Sequence, residues 1–393
     1  MIDSVVIPLL KILIVLNAVL VAVTFMVLLE RKVIAWTQVR LGPMRVGPHG
    51  ILQPIADVLK LMIKEDITPV KADRWVFTMS PMLVLVPALI MFAVIPFGPT
   101  TSLFGREVTL YITDLNVGLL YIVSVTSIGV YGIILAGWSS NSKYPLLAGL
   151  RASAQLISYE VAVTMALVSM IVSAGTLSMV GIVNAQASQG VWYLFIQPVA
   201  FFIFFVGGLA ETNRAPFDMP EAEAELVEGW WTEYGGMRFG LLFAAEYMRV
   251  YAASILFAHF FLGGWHSPFA GLVPGGPLIP GVIWTLLKAW LVFTVVFVWA
   301  RTALPRIRTD QILELGWKYL LPLSLINLAF KKTKDEDKNI QGLQKSIRFN
   351  IGRGKPIKLK LFLSLIQSNL GKKAKIKNLP LQLGDVKKTH ASI

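Results

Sequence analysis

Apolar residues fall in eight long runs, at about 5–29, 76–97, 115–137, 153–173, 191–210, 239–262, 282–300 and 311–330. A helix rises about 1.5 Å per residue, so about 20 such residues cross a bilayer. The pattern predicts an all-α polytopic membrane protein with about eight transmembrane helices. The first run is too long for the apolar region of a cleaved signal peptide and lacks a small-residue cleavage site, so it should stay as a helix. The eighth is interrupted by Glu314, Lys318 and Pro322. Cationic residues then give the orientation. Segments 30–75, 138–152, 211–238 and 301–310 hold 15 Lys/Arg, whereas 98–114, 174–190 and 263–281 hold only Arg106. The first group is expected to be cytoplasmic and the N-terminus outside. Eight crossings put the C-terminal tail outside too, against its own charge. The other reading is that the eighth run does not fully cross.

Composition removes the soluble alternatives. The chain has 393 residues, 55% hydrophobic and 15% charged, where a soluble domain carries roughly 25% charged residues. There is no cysteine, which excludes disulfides, thiolate metal sites and iron–sulfur ligation. The four histidines are far apart, so no metal centre is expected. The net charge of +13 is uneven: residues 331–393 hold 16 Lys/Arg against 4 Asp/Glu, leaving 1–330 nearly neutral. The chain divides into a membrane domain, 1–330, and an unassigned basic polar tail, 331–393.

Two inner connections are more than turns. Segment 30–75 begins ERKVIAWTQVRLGPMRVGPHG, with Gly-Pro pairs between cationic residues. An amphipathic stretch follows, with Ile55, Val58, Leu59, Met62 and Ile63 on one helical face and Asp57, Lys60, Lys64 and Glu65 on the other. An interfacial helix accounts for that face; the length of the loop is left over. Segment 211–238 gathers Glu211, Asp218, Glu221, Glu223, Glu225, Glu228 and Glu233 against Arg214 and Arg238. Crowded carboxylates raise one another's pKa and can exchange protons near neutrality; a solvated acidic loop or a docking surface for a basic partner fits as well. Charges also lie inside the runs. Glu160 sits about two turns into the fourth, Glu246 and Arg249 about two turns into the sixth, and Glu211 closes the fifth. An ionisable residue in hydrocarbon usually faces a bundle interior or a water-filled cavity. The three glutamates could form a proton chain, or Glu246 and Arg249 could simply pair at i, i+3. Lys288 and Lys318 could snorkel or find partners, and His259 reads as a packed histidine.

The strings ERKVIAWTQVRLGPMRVGPHGILQPIADVLKLMIKED (30–66), SYE (158–160), ETNRAPFDMPEAEAELVEGWWTEYGGMRFGLLFAAEY (211–247) and RTALPRIRTDQ (301–311) resemble the H-type membrane subunits of proton-pumping NADH:quinone oxidoreductase, respiratory complex I. The mitochondrial counterpart is the first NADH dehydrogenase subunit. The resemblance covers about 1–330 and has a bacterial cast, which implies a multi-pass protein of the cell inner membrane. It also implies contacts with the peripheral-arm subunits carrying the quinone head-group site and terminal cluster, and with the antiporter-like membrane subunits. Arg31, Arg40, Arg45 and Asp57 would line or brace a quinone tunnel from the first loop. Arg214, Asp218, Glu221, Glu223 and Glu225 would do so from the acidic loop. Glu160, Glu211 and Glu246 match the buried glutamates of a proton relay, with Arg249, Arg301, Arg306 and Arg308 as supporting cations.

The chain carries no flavin, nicotinamide or cluster motif, so NADH, FMN and iron–sulfur clusters are expected only in partner subunits, with quinone as the substrate met here. No nucleic-acid motif is present. The tail resembles nothing in that family; its mixture of Lys with Leu and Ile could lie on an anionic membrane surface. The nearest alternative is the homologous subunit of a membrane-bound energy-converting hydrogenase. A stand-alone ion transporter is a further one, though no inverted halves or paired broken helices support it.

Overall fold

The computed structural model describes residues 6–103, 106–218, 223–267 and 280–330. In chain order the helices are α1 (Ile7–Thr37), α2 (Gln53–Ile63), α3 (Arg74–Ile90), α4 (Gly118–Ser139), α5 (Lys143–Ala174), α6 (Met179–Gln189), α7 (Tyr193–Ile196), α8 (Pro198–Glu211), α9 (Glu223–Leu226), α10 (Gly236–Phe261), α11 (Gly281–Val292), α12 (Ala300–Ala303) and α13 (Thr309–Glu314). A π-helical stretch, Phe293–Trp299, joins α11 to α12, and a second, Leu315–Leu320, continues α13. A small antiparallel hairpin, β1 (Thr101–Leu103) with β2 (Arg106–Val108), is the only sheet among the described residues. Six helices there are long and apolar enough to cross a membrane: α1, Arg74–Ala93, α4, α5, α10 and Gly281–Ala303. The protein is an all-α polytopic membrane protein.

Several helices outrun their apolar runs. α5 starts at Lys143, ten residues before the expected boundary, because its first turns carry Lys143, Tyr144 and Arg151 and reach beyond the apolar stretch. α1 likewise continues past the apolar run to Thr37. The fifth run is divided instead of continuous. Gln197 leaves the helical region and Pro198, which lacks an amide hydrogen, starts α8 at a position that needs none. The polar break is satisfied inside the protein: Gln197 Nε2 donates to Ser173 Oγ at 2.8 Å, and Asn327 Nδ2 donates to Gln197 Oε1 at 3.2 Å. Asn327 also reaches Ser169 Oγ at 3.0 Å, and Trp317 Nε1 reaches Ser158 Oγ at 2.9 Å. Residues 309–330 are therefore fastened along α5 by polar ties, the kind of bond that holds membrane helices together where hydrophobicity cannot.

Close packing in the bundle depends on small residues. A Cβ at Gly207 would fall 2.1 Å from a methyl of Val163, so α8 meets α5 only with glycine there. The centre is α10, whose Phe257, Phe260 and Phe261 interlock with Phe201 and Phe204 of α8. Lys288 does not snorkel: its ammonium donates to the carbonyls of Leu262, Gly264 and His266 at 2.6, 2.8 and 2.7 Å. His259 is packed, with Nδ1 2.7 Å from the Ile255 carbonyl.

Candidate functional site

Glu30 lies two turns before the end of α1 and is buried, while its neighbour Arg31 is exposed. Successive helical residues point about 100° apart, so one carboxylate turns into the bundle while the adjacent guanidinium turns out. Glu30 Oε1 accepts from Arg214 Nη1 at 3.1 Å and from Arg301, and its Oε2 accepts from the Tyr247 hydroxyl at 2.7 Å. Arg214 Nη2 lies 2.9 Å from Glu246 Oε1, and the guanidinium stacks 4.6 Å above the Tyr247 ring centre. Four parts of the chain thus meet: α1, the turn after α8, α10 and α12. The turn itself is built by Arg214 N bonding back to the Leu209 carbonyl at 3.1 Å and Thr212 Oγ1 to that of Gly208 at 2.8 Å.

Burial pulls the Arg214 guanidinium down, but Glu246 and Glu30 outweigh it and hold its pKa well above the ordinary arginine value. Asp218 behaves oppositely. Its pKa is raised by burial, although Arg306, Arg301 and Arg214 all pull it back; Arg306 Nη2 is 3.1 Å away.

These groups line a cavity of about 420 Å³. Its carboxylates are Glu30, Asp218, Glu228 and Glu246, and its guanidiniums Arg31, Arg214, Arg301 and Arg306, so four charges of each sign cancel. Ile34, Trp231, Phe239, Phe243 and Tyr247 supply the apolar and aromatic wall. A second, narrower cavity of about 50 Å³ is lined by Glu160, Glu211 and Arg249 with Thr126, Thr164 and Thr212, among apolar side chains. That space suits about three waters. Ser127 donates to the Glu160 carboxylate. The two cavities share walls: residues 211–212 face one and 213–215 the other, and Glu246 and Arg249 of α10 divide in the same way.

The sequence candidates therefore separate into groups. Arg31 and Asp57 form a half-exposed ion pair at 2.6 Å, with Arg31 at the rim of the larger cavity. Arg214, Asp218, Glu246, Arg301 and Arg306 line that cavity, while Glu160, Glu211 and Arg249 line the smaller one. Arg40 and Arg45 are exposed and line neither. Glu225 pairs with Arg151 at 3.0 Å on the surface, and Arg308 lies exposed 3.8 Å from Asp310. Glu221 and the side chain of Glu223 lie outside the described residues. Sequence reasoning passed over Glu30 and Ser127. Glu30 carried a signal nonetheless, as the carboxylate that ends the first apolar run.

The raised Asp218 pKa has a checkable sign. The folded protein holds this proton more tightly than the unfolded chain, so ionisation costs stability as pH rises through the window above the ordinary carboxylate value. Asp218→Asn imitates the protonated acid. Its stability and turnover should differ from the parent most at neutral pH, and the difference should close on acidification above the range of an exposed carboxylate. Paired pH profiles of both proteins measure this.

A family model described as NADH dehydrogenase matches residues 10–332. An H-type chain of NADH-quinone oxidoreductase from Geobacter metallireducens is 49% identical over 318 residues, covering 81% of this chain and 93% of the relative. An H-type chain of the same oxidoreductase from Geobacter sulfurreducens shows the same identity and coverage. The corresponding chain of Paraburkholderia phymatum is 48% identical over 328 residues, covering 81% of this chain and 88% of its own.

Proposed function

Because the chain belongs to the NADH dehydrogenase family, with H-type chains of NADH-quinone oxidoreductase among its relatives, we propose that its larger cavity receives the quinone and its smaller one passes protons. The chain is a membrane subunit of that oxidoreductase. The observation that carries the finer reading is the larger cavity itself: aromatic, charge-balanced, and sharing its wall with a carboxylate-lined space. A neutral quinone needs apolar walls to enter. Reduction to quinol takes two electrons, supplied by partner subunits, and two protons. A charge appearing on the ring unbalances the four-against-four arrangement. Arg214 bridges Glu30 and Glu246, so a change at one carboxylate is felt at the other. Glu211, three positions before Arg214, and Arg249, three positions after Glu246, carry the change into the second cavity, where Glu160 accepts from Ser127. Carboxylates clustered in this way convert a local charge change into proton movement. The protein works as a multi-pass subunit of the bacterial inner membrane, beside the quinone-site and terminal-cluster subunits and the antiporter-like pumps, and NADH, FMN and the clusters belong to those partners. Arg40 and Arg45, exposed on the first inner loop, face that peripheral arm.

A photoreactive short-chain quinone added to the whole enzyme should label residues on this wall, Tyr247, Phe243 or Trp231, and excess quinone should suppress the labelling. Labelling confined to other parts of the chain would reject the assignment.

A further inference from the structure

Gly281–Ala303 is one continuous helical run through α11 and α12, yet the seven residues Phe293–Trp299 between them are π-helical. A π turn bonds residue i to i+5 and so holds about one residue more than an α turn; such widened turns are rare and frequent at functional sites. The segment reads FTVVFVW, with neither proline nor glycine to break the α pattern. Its two ends are held unequally. Upstream, Lys288 is buried and its ammonium bonds the carbonyls of Leu262, Gly264 and His266, so α11 is anchored. Downstream, α12 is a single turn of four residues that ends at the extended Leu304. Among the described residues, the first backbone bond after it to another part of the chain is Ile307 N to the Pro216 carbonyl at 3.0 Å. That loosely held turn carries Arg301. Of the two guanidiniums on Glu30, Arg301 is the more exposed, at 38% against 6% for Arg214.

We infer that Phe293–Trp299 is a register hinge, and that closing its wide turn into α-helix replaces Arg301 beside Glu30 by Ala300. This rests on the proton-passing reading of the two cavities. With α11 anchored, an all-α run moves every later residue one place along the helix, a step of about 100° and about 1.5 Å. Arg301 turns away from the cavity, and the residue that arrives in its place is the uncharged Ala300. Four carboxylates then face three guanidiniums, and Arg214 is already shared between Glu30 and Glu246. A proton from the inner solvent, entering at the rim beside Arg31, restores the balance on Glu30. When the wide turn reopens, Arg301 returns and displaces that proton into the cavity. The three residues between α12 and the bond at Ile307 absorb the movement, and helix register shifts of this kind run on the microsecond-to-millisecond scale.

The test uses the assembled enzyme. Deleting Val295, which is 45% exposed, removes the surplus residue from the outward side of the helix. The run then closes as α-helix while Arg301 keeps its place against Glu30, and the second register is lost. NADH oxidation by ferricyanide, which does not need these cavities, should stay unchanged. Proton movement driven by NADH in sealed vesicles should fall at least about tenfold. A deletion variant that pumps at the parental rate makes the wide turn a tolerated insertion and overturns the inference. The parent supplies a second reading that does not depend on the variant assembling. Maps of the whole enzyme at rest and during turnover should show Arg301 and Ala300 exchanging beside Glu30, and a single register in both states overturns the hinge equally. Glu211→Gln separates the layers: if it stops pumping while the deletion does not, the hinge alone falls, whereas pumping that survives both removes the proton reading as well.

Discussion

Replacing Arg214 by methionine should leave little assembled protein and no measurable quinone reductase activity. The guanidinium is 5% exposed and holds Glu30 and Glu246 together from between them. Its removal turns a balanced cavity into one with a net negative charge. Deleting one partner of a buried ion pair typically costs about 3–5 kcal/mol, because the remaining charge stays desolvated. A whole domain is stable by only about 5–15 kcal/mol. Arg214→Lys should be milder yet still impaired: an ammonium cannot present a planar fork to two carboxylates, and it loses the stacking on Tyr247. The double variant Arg214→Met/Glu246→Gln separates structure from function. It removes one charge of each sign, so assembly should largely return while turnover should not. Native gels of the membrane fraction and quinone reductase assays of the same samples measure both. A double variant as poorly assembled as the single one would show that the unpaired carboxylate is not the cause.

Legibility followed distance along the chain. The helices could be read because hydropathy is a local property, and the buried glutamates could be found because each stands alone in an apolar run. Their partners could not. Glu30 and Arg214 are 184 residues apart, and Glu30 and Arg301 are 271 apart; no spacing rule joins them. The local i, i+3 pattern pointed from Glu246 to Arg249, and what it could not show is the tie from Glu246 to Arg214 in the turn after α8. The ends of α1 and α5 were misjudged for a related reason: a helix continues while its backbone bonds are satisfied, whereas an apolar run ends where the lipid does. Glu30 was hidden by that boundary, since it sits beyond the run and inside the helix. Gln197 was hidden in the opposite sense, as one polar residue inside a run whose break is compensated by Ser173 and Asn327 from elsewhere.

Glu211→Gln should abolish most proton translocation while leaving the fold intact. The amide has nearly the same shape as the carboxyl, so packing around Thr212, Gly208 and Arg249 in the smaller cavity is kept. What is lost is the capacity to take up and release a proton. With space for about three waters, protons crossing that cavity must stop at Glu160 or Glu211, its two carboxylates. Removing one stop in a series reduces transfer far more than weakening it, so pumping should fall at least about tenfold, equivalent to a barrier raised by about 1.4 kcal/mol. Glu211→Asp, which keeps an acid on a shorter arm, should recover part of it. Glu246→Gln should also suppress pumping, though here the broken tie to Arg214 adds a structural loss. Ser127→Ala removes the hydroxyl that meets both Glu160 and the Val123 carbonyl and should slow transfer without stopping it. The readout is protons moved per NADH oxidised in sealed vesicles. If both Glu211→Gln and Glu246→Gln moved protons at the parental ratio, charge transfer through these two cavities would have to be abandoned, whatever the quinone does beside them.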